Sequence, residues 1–365
     1  MAHGILDSMP PPEQPPTEHE PPYELRAYHQ TAARDFLEFS KRVNDLHLAG
    51  KFQQALEVAR AAATLAQRVP ARPDWAARTS YWIACLQSCL GDADQALQTL
   101  HEALQHGLWW PQKALLEDPD LGPLREQAHG RAEFAALVTE AGRLQRAAQA
   151  MAKPQVLVFS PERVDETSPL LLALHMRLAN SEDAAGQWMA AVSAGLVLTV
   201  PQSSQVAGVN AYCWDDIPRA AQDLAAVYTQ LREAHAFDPD RVIVAGASQG
   251  GGLAITLALN GGVLPSRRFI AVVPLIQDAQ DTIALRQADI ATLTPAIDRG
   301  VRRGARGWLL TGGQDFGRSH VEQLYREVVR RGLPCEFVLE PDLGHEFPVD
   351  FDSKLLSALT FVLHG

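Results

Sequence analysis

Short apolar runs alternate with longer amphipathic stretches from residue 153 to the C-terminus. Runs such as LLLAL and RVIVA are rich in Leu, Ile and Val, and the stretches between them have helical spacing. This alternation predicts an α/β fold with a mostly parallel, doubly wound sheet, whose interior strands are buried on both faces. The predicted strands are Val156–Ser160, Leu170–Leu174, Leu196–Val200, Val242–Ala245, Phe269–Val273, Gly307–Leu310 and Glu336–Leu339. The predicted helices are Ala184–Ala194, Ile217–Ala234, Gly251–Leu259, Arg318–Arg331 and Ser353–Leu363.

The pattern is different between residues 26 and 152. Ala and Leu are dense there and β-branched residues are sparse, which predicts an all-α domain. Two segments echo each other, LAGKFQQALEVARAAA and CLGDADQALQTLHEAL, which align Gly50 with Gly91 and Ala62 with Ala103. These G-x-x-x-x-A-L segments resemble tetratricopeptide repeats, and the resemblance implies a surface for a protein partner. We expect Trp109 and Trp110 beyond them to be packing anchors rather than a ligand cage.

Composition suggests three segments and excludes several partners. Residues 1–25 are rich in Pro and acidic side chains and predict a disordered leader, with no Sec-type signal peptide. They precede the helical domain, residues 26–152, and the α/β domain, residues 153–365. The net charge of −11 argues against a nucleic-acid partner and against anionic membranes. No apolar stretch is long enough to span a bilayer.

The four cysteines form no CxxC pair and have no Cys/His metal spacing. They are expected to be free thiols in a reducing compartment, which favours a cytoplasmic protein without a bound metal. The chemistry proposed below also requires no cofactor.

The segment RVIVAGASQGGGLA places a serine between glycines, directly after a predicted strand and before a predicted helix. A G-x-S-x-G sequence alone is weak, but this context is the one that a nucleophile elbow requires. Gly246 and Gly250 stand two residues before and after Ser248, where side chains would crowd the tight turn. We therefore predict that Ser248 is a nucleophile and that the backbone N–H of Gln249 contributes to an oxyanion hole.

A serine nucleophile needs a histidine to accept its proton and a carboxylate to orient that histidine. Asp315 in TGGQD and His345 in PDLGHEFP follow later strands in the required order. Asp278 and Asp281 are rival acids, and His320 is a rival histidine at the start of a predicted helix.

From about residue 154 onward the chain resembles the α/β-hydrolase superfamily, in its branch of phospholipase/carboxylesterase-like bacterial esterases. The residues that carry the resemblance are LLLALHMRLANSED, LTVPQSSQ, YCWDD, DPDRVIVAGASQGGGLA, TGGQD and PDLGHEFP. It implies the same roles for Ser248, Asp315 and His345, and a second oxyanion donor after the strand LLLAL. By position that donor is Arg177, with Met176 the second choice, and Met176 replaces the glycine usual in the family.

PQSSQ and YCWDD are expected in loops near the rim of the pocket, with His175 and Trp214 as candidate pocket residues. The leading interpretation is a serine hydrolase that cleaves a small-molecule carboxylic ester through an acyl-enzyme. Two alternatives stay open. One is a serine peptidase with the same three residues, and the other is a partner-binding helical scaffold that carries a silent hydrolase domain.

Overall fold

Helices make up most of the described chain before the first strand. The structure, a computed structural model, describes residues 23–126, 130–276 and 289–364. Helix α1 begins at Tyr23, inside the predicted leader, and the residues before it lie outside the described part. The helices of this region are α1 (Tyr23–Leu48), α2 (Phe52–Arg68), α3 (Pro73–Cys89), α4 (Ala93–Gln105), α5 (Gln112–Glu117), α6 (Gly122–Glu126) and α7 (Arg131–Met151).

The two echoing segments end their helices in the same way. Gly50 after α1 and Gly91 after α3 have φ values of +69° and +88°, a conformation that glycine adopts without strain. In each case the glycine N–H donates to the carbonyl three residues back, and the next N–H donates to the carbonyl five residues back. The helix that follows each turn packs against the helix before it through buried alanines such as Ala62 and Ala103. The tetratricopeptide resemblance itself stays a prediction.

The second half of the chain forms a seven-stranded sheet with helices on both faces, as predicted. Its strands, in chain order, are β1 (Gln155–Phe159), β2 (Leu170–Leu174), β3 (Val197–Gln202), β6 (Val242–Ala247), β7 (Arg268–Val272), β8 (Arg306–Gly312) and β9 (Cys335–Glu340), while β4 (Gln205–Gly208) and β5 (Ala211–Cys213) form a separate hairpin. The helices are α8 (Ser181–Trp188), α9 (Ala190–Ser193), α10 (Ile217–Ala234), α11 (Ser248–Asn260), α12 (Ile290–Arg302), α13 (Arg318–Arg330) and α14 (Phe351–His364).

The strand order in the sheet is β1-β3-β2-β6-β7-β8-β9. Strand β1 is antiparallel to β3, and the other pairings are parallel. This is the α/β-hydrolase fold, a mostly parallel sheet with its helices wound on both sides. Every residue of β2, β3 and β6 is buried, which explains their continuous apolar sequences. The carboxyl ends of the parallel strands therefore meet along one edge, where this fold binds its ligands.

Three predictions about elements need correction. PQSSQ and YCWDD are only partly loops, because Gln205 begins β4 while Tyr212 and Cys213 lie in β5. The predicted helix Ala184–Ala194 is two short helices, α8 and α9. Helix α12 was not predicted, and the helix after the serine begins at Ser248 itself rather than at Gly251.

The helical region is joined to the sheet region by polar contacts. Arg72, directly before α3, binds Asp74 in the first turn of that helix and also Asp183 at the start of α8. Gln149 on α7 donates to the carbonyl of Ser204, directly before β4, and accepts from the N–H of Val206 within β4. Within the described residues, no helix has the length and apolar character needed to cross a membrane.

Candidate active site

Ser248 lies at the junction of β6 and α11, in a backbone conformation that serine rarely adopts. Its φ is +51°, in the left-handed region, and the neighbouring Leu275 N–H anchors its carbonyl at 2.9 Å. Holding a non-glycine residue there costs about 1–3 kcal/mol, and such strain is concentrated at functional sites. The sharp turn brings the side chain to the carboxyl edge of the sheet, ahead of the N-terminus of α11.

The flanking glycines make this turn possible. A Cβ on Gly246 would lie 2.5 Å from the Gly250 carbonyl carbon, and a Cβ on Gly250 would lie 2.6 Å from the carbonyl oxygens of Leu174 and His175. Both contacts are with backbone atoms, which cannot move aside as the end of a side chain could. The sequence spacing of G-x-S-x-G thus reflects a close approach between the turn, α11 and the end of β2.

Three predicted residues from three separate segments of the chain form one hydrogen-bonded chain. Ser248 Oγ lies 2.8 Å from His345 Nε2, and His345 Nδ1 lies 2.9 Å from Asp315 Oδ1. An imidazole that donates from Nδ1 to the carboxylate presents Nε2 as the acceptor of the serine hydroxyl proton. The Asp315 side chain is fully buried and the His345 side chain is 19% exposed, so water reaches the histidine but not the carboxylate beneath it.

Asp315 is held by two further donors. Its Oδ2 accepts from Thr311 Oγ1 at 3.0 Å, and its Oδ1 also accepts from the Gly317 N–H at 2.9 Å. The loop after β8 lies against the loop that carries the histidine. A Cβ on Gly312 would lie 2.0 Å from the Leu343 carbonyl oxygen. The TGGQD glycines therefore allow the acid and histidine loops to touch through their backbones.

The predicted oxyanion donors lie on both sides of one carboxylate. Gln249 Nε2 donates to Asp215 Oδ1 at 2.7 Å, and Arg177 donates to both oxygens of Asp215 at 3.1 Å. Burial alone would raise the pKa of Asp215, but the Arg177 guanidinium and the Gln249 amide lower it overall. Among the described residues, the N–H groups of Met176 and Arg177 meet no acceptor. The Gln249 N–H lies in the first turn of α11, where a helix leaves its amides unpaired.

His175 and Trp214 do not line a surface that a substrate reaches, because both are completely buried. Their rings stack with centroids 4.6 Å apart, and Trp214 Nε1 donates to the His175 carbonyl. His175 Nδ1 lies 2.8 Å from the Met176 carbonyl oxygen, and its Nε2 accepts from the Ser203 N–H. Burial lowers the pKa of His175 from its ordinary 6.5 to about 4, so the ring is neutral. These two residues therefore stabilise the loop after β2 through buried contacts, away from any substrate.

The rival residues have other positions. His320 lies on α13, where burial lowers its pKa, and it is not part of the hydrogen-bonded chain. Asp278 and Asp281 lie outside the described residues. Sequence reasoning missed Phe316, which is 73% exposed with its ring centroid 4.5 Å from that of His345. Its position directly after Asp315 was the available signal.

One cluster in the helical region offers metal-ligand atoms. Single ligand atoms of His47, Cys89 and Asp120 lie within 4.8 Å of one another, and so do those of Cys85, Asp118 and Asp120. Burial and the nearby Asp120 carboxylate raise the pKa of Cys89 to about 12, so it is a thiol at neutral pH. This cluster could not be predicted from sequence spacing, because its members come from three separate segments.

Several solved structures are similar to this chain. An uncharacterized protein from Bacillus cereus ATCC 10987 is 20% identical, with a TM-score of 0.48, over 89% of this chain and 98% of its own. Esterase PE8 is 18% identical, with a TM-score of 0.45, over 58% of this chain and all of its own. A carboxylesterase from Bacillus cereus is 14% identical, with a TM-score of 0.43, over 59% and 97%. No protein-family model and no curated protein matches the chain.

Proposed function

We propose that this protein is a serine hydrolase that cleaves small-molecule carboxylic esters. The observation that carries the proposal is the chain of hydrogen bonds from Ser248 Oγ through His345 to Asp315, with 2.8 and 2.9 Å between the bonded atoms. A strained serine at a strand-to-helix turn, an imidazole within hydrogen-bonding distance and a buried orienting carboxylate together are what nucleophilic acyl transfer requires.

In the proposed reaction, Ser248 Oγ attacks the ester carbonyl carbon while its proton passes to His345 Nε2. The resulting tetrahedral oxyanion accepts hydrogen bonds from the Gln249 N–H and from an N–H of Met176 or Arg177. His345 then returns the proton to the alkoxy oxygen, the alcohol leaves, and an acyl-serine remains. Water attacks this ester with His345 as the base, and collapse of the second oxyanion releases the acid and regenerates Ser248.

Asp315 keeps its charge throughout this cycle. It orients His345 and stabilises the imidazolium that forms when Nε2 takes the proton. Its two additional donors, Thr311 and Gly317, prevent the carboxylate from rotating away. The mechanism uses only the side chains and backbone of this chain, and it is compatible with the predicted cytoplasmic location.

A serine peptidase would use the same three residues, and a comparison of ester and amide substrates distinguishes it from an esterase. We expect p-nitrophenyl esters to be hydrolysed faster than the matching aminoacyl p-nitroanilides. Dominant amide turnover would replace the esterase assignment with a peptidase assignment.

The first test is intact-mass analysis after incubation with a fluorophosphonate probe. We expect one adduct on the wild type and none on Ser248→Ala, with Ser357→Ala, an exposed serine on α14, labelled like the wild type. A folded wild type without an adduct would remove the hydrolase proposal and favour a helical scaffold with a silent hydrolase domain.

A further inference from the structure

A cleft of about 820 Å³ separates the helical region from the loop after β2. Its helical wall includes Ser40, Tyr81 and Trp110, and its opposite wall includes Arg177 and Asp215. The volume is in the range of sites that bind small molecules. Ser248 and His345 do not line the cleft, which meets the candidate active site at the residues that hold the oxyanion donors.

The helical region contacts the candidate site on two sides of this cleft. Lys41 Nζ lies 3.2 Å from Glu346 Oε1, next to His345. Arg78 donates to the carbonyl of Leu178, next to Arg177, at 3.2 Å. The cleft is lined by Arg78 and by Ser40, the residue before Lys41, so its helical wall includes one group that contacts the oxyanion loop and one that neighbours the contact with the histidine loop.

Arg78 lines the cleft and has spare hydrogen-bond donors. A guanidinium has five N–H donors, and the one hydrogen bond of Arg78 within the described residues goes to Leu178. Arg78 takes part in no ion pair within the described residues. The nearby carboxylates of Asp74 and Asp183 affect its pKa, but both are bound by Arg72. Burial lowers the pKa of Arg78, and an anionic partner in the cleft would offset that cost.

The acidic groups that face the cleft are already engaged by donors of the protein. Each has a hydrogen-bonding or ion-pair partner: Asp74 with Arg72, Glu117 with Lys113, Asp118 with the Tyr81 hydroxyl, and Asp215 with Arg177. They therefore compete little for Arg78, which is left to bind an anion that enters from solvent.

Aromatic side chains supply the remaining recognition surface. Tyr81, Trp82, Trp109 and Trp110 line the helical side of the cleft, and Trp110 has its indole N–H bonded to the Ala77 carbonyl. Trp109 and Trp110 are buried in the core of the helical region, as expected for packing anchors, and only a small part of each ring reaches the cleft. Tyr81 and Trp82, in contrast, are half-buried and offer the aromatic surface that a flat ring could contact.

We propose that this cleft binds an aromatic carboxylate, with Arg78 holding the carboxylate and the Trp and Tyr side chains contacting the ring. The carboxylate can belong to the ester substrate or to a separate ligand that acts on the Arg177–Asp215 pair. Its assignment to the substrate rests on the proposed hydrolase function, whereas binding in the cleft does not.

Calorimetry with 3-phenylpropionate and its neutral analogue 3-phenylpropanamide tests the binding. We expect the wild type and Ser248→Ala to bind the carboxylate about tenfold more tightly than the amide. Arg78→Met should remove that preference, whereas Arg78→Lys should keep part of it. The control Arg143→Met, at an exposed arginine paired with Glu140, should bind like the wild type. Equal affinity for acid and amide, or a preference that survives in folded Arg78→Met, would overturn the proposal.

Inhibition kinetics then identify the source of the carboxylate. Competitive inhibition of neutral ester hydrolysis by 3-phenylpropionate would place the cleft within the substrate site. A changed kcat without competition would identify a separate ligand. If the protein hydrolyses no ester, the calorimetric comparison still decides whether the cleft is a binding site.

Discussion

Gln249 Nε2 donates a 2.7 Å hydrogen bond to Asp215 Oδ1. The Asp215 carboxylate also accepts two hydrogen bonds from the Arg177 guanidinium. The Asp215 side chain therefore connects the turn after β6 to the loop after β2. These are the two backbone segments whose N–H groups would share the oxyanion. The spacing between the donors therefore depends on a residue that itself touches no reacting atom.

Asp215→Ala should lower kcat for ester hydrolysis by about 10–100-fold while KM changes little. Loss of one oxyanion donor costs about 10²–10³-fold in kcat, and displaced donors should cost somewhat less. Steady-state kinetics measure both parameters. Asp352→Ala, at an exposed position of α14, is the matched control. An unchanged kcat, or a change confined to KM, would show that Asp215 does not position the donors.

Asp315→Asn should reduce kcat by about 10⁴-fold, because an amide no longer fixes the imidazole tautomer that presents Nε2 to Ser248. The thermal midpoint should fall only modestly, because the single amide oxygen can still accept from either Thr311 or Gly317, which donate to different oxygens of Asp315. Initial rates and a melting curve on the same preparation check both statements. A loss of less than tenfold would point to a different acid.

Gly252→Ala should destabilise the protein by about 3 kcal/mol or prevent its folding, because its Cβ would lie 2.0 Å from the Leu275 carbonyl oxygen. Gly186→Ala is the contrasting variant, since nothing lies within 4 Å of a Cβ at this exposed helical position. That change should stabilise the protein by about 0.5–1 kcal/mol. Urea unfolding of both variants gives the comparison, and similar effects on stability would contradict it.

The buried His175 should make stability depend on pH. Burial lowers its pKa to about 4 in the folded chain, so the unfolded state binds its proton first as the pH falls below 6.5. Above pH 6.5 the histidine is neutral in both states, and its contribution to the free energy of unfolding is fully present. Between pH 6.5 and pH 4 the unfolded state takes up the proton, and the free energy of unfolding falls by about 3 kcal/mol. Urea midpoints across this range should fall less steeply in His175→Asn than in the wild type or in His101→Asn, an exposed control. Parallel slopes in all three would exclude His175 as the source.

The sheet and the serine turn could be predicted because their signals are local in sequence. Apolar alternation predicted each of the seven strands of the sheet to within about two residues. G-x-S-x-G directly after a strand indicated the strained turn, and the order of Asp315 and His345 followed from strand ends that share one edge of the sheet. The structure brings these three side chains together, while their catalytic roles stay predictions.

What could not be predicted depends on contacts between distant segments. Arg78 is 100 residues from Leu178, and no periodicity relates a helix side chain to a loop carbonyl across the cleft. Asp215 was one acid among several until the fold placed it between Arg177 and Gln249. The β4–β5 hairpin was hidden because its strands, Gln205–Gly208 and Ala211–Cys213, are too short to show alternation.

The φ of +51° at Ser248 has a consequence for how this protein can be improved. A glycine at this position would relieve the backbone and would also remove the proposed nucleophile. Selection for heat resistance alone would therefore favour an inactive chain, so any directed evolution of this protein must score turnover in every round.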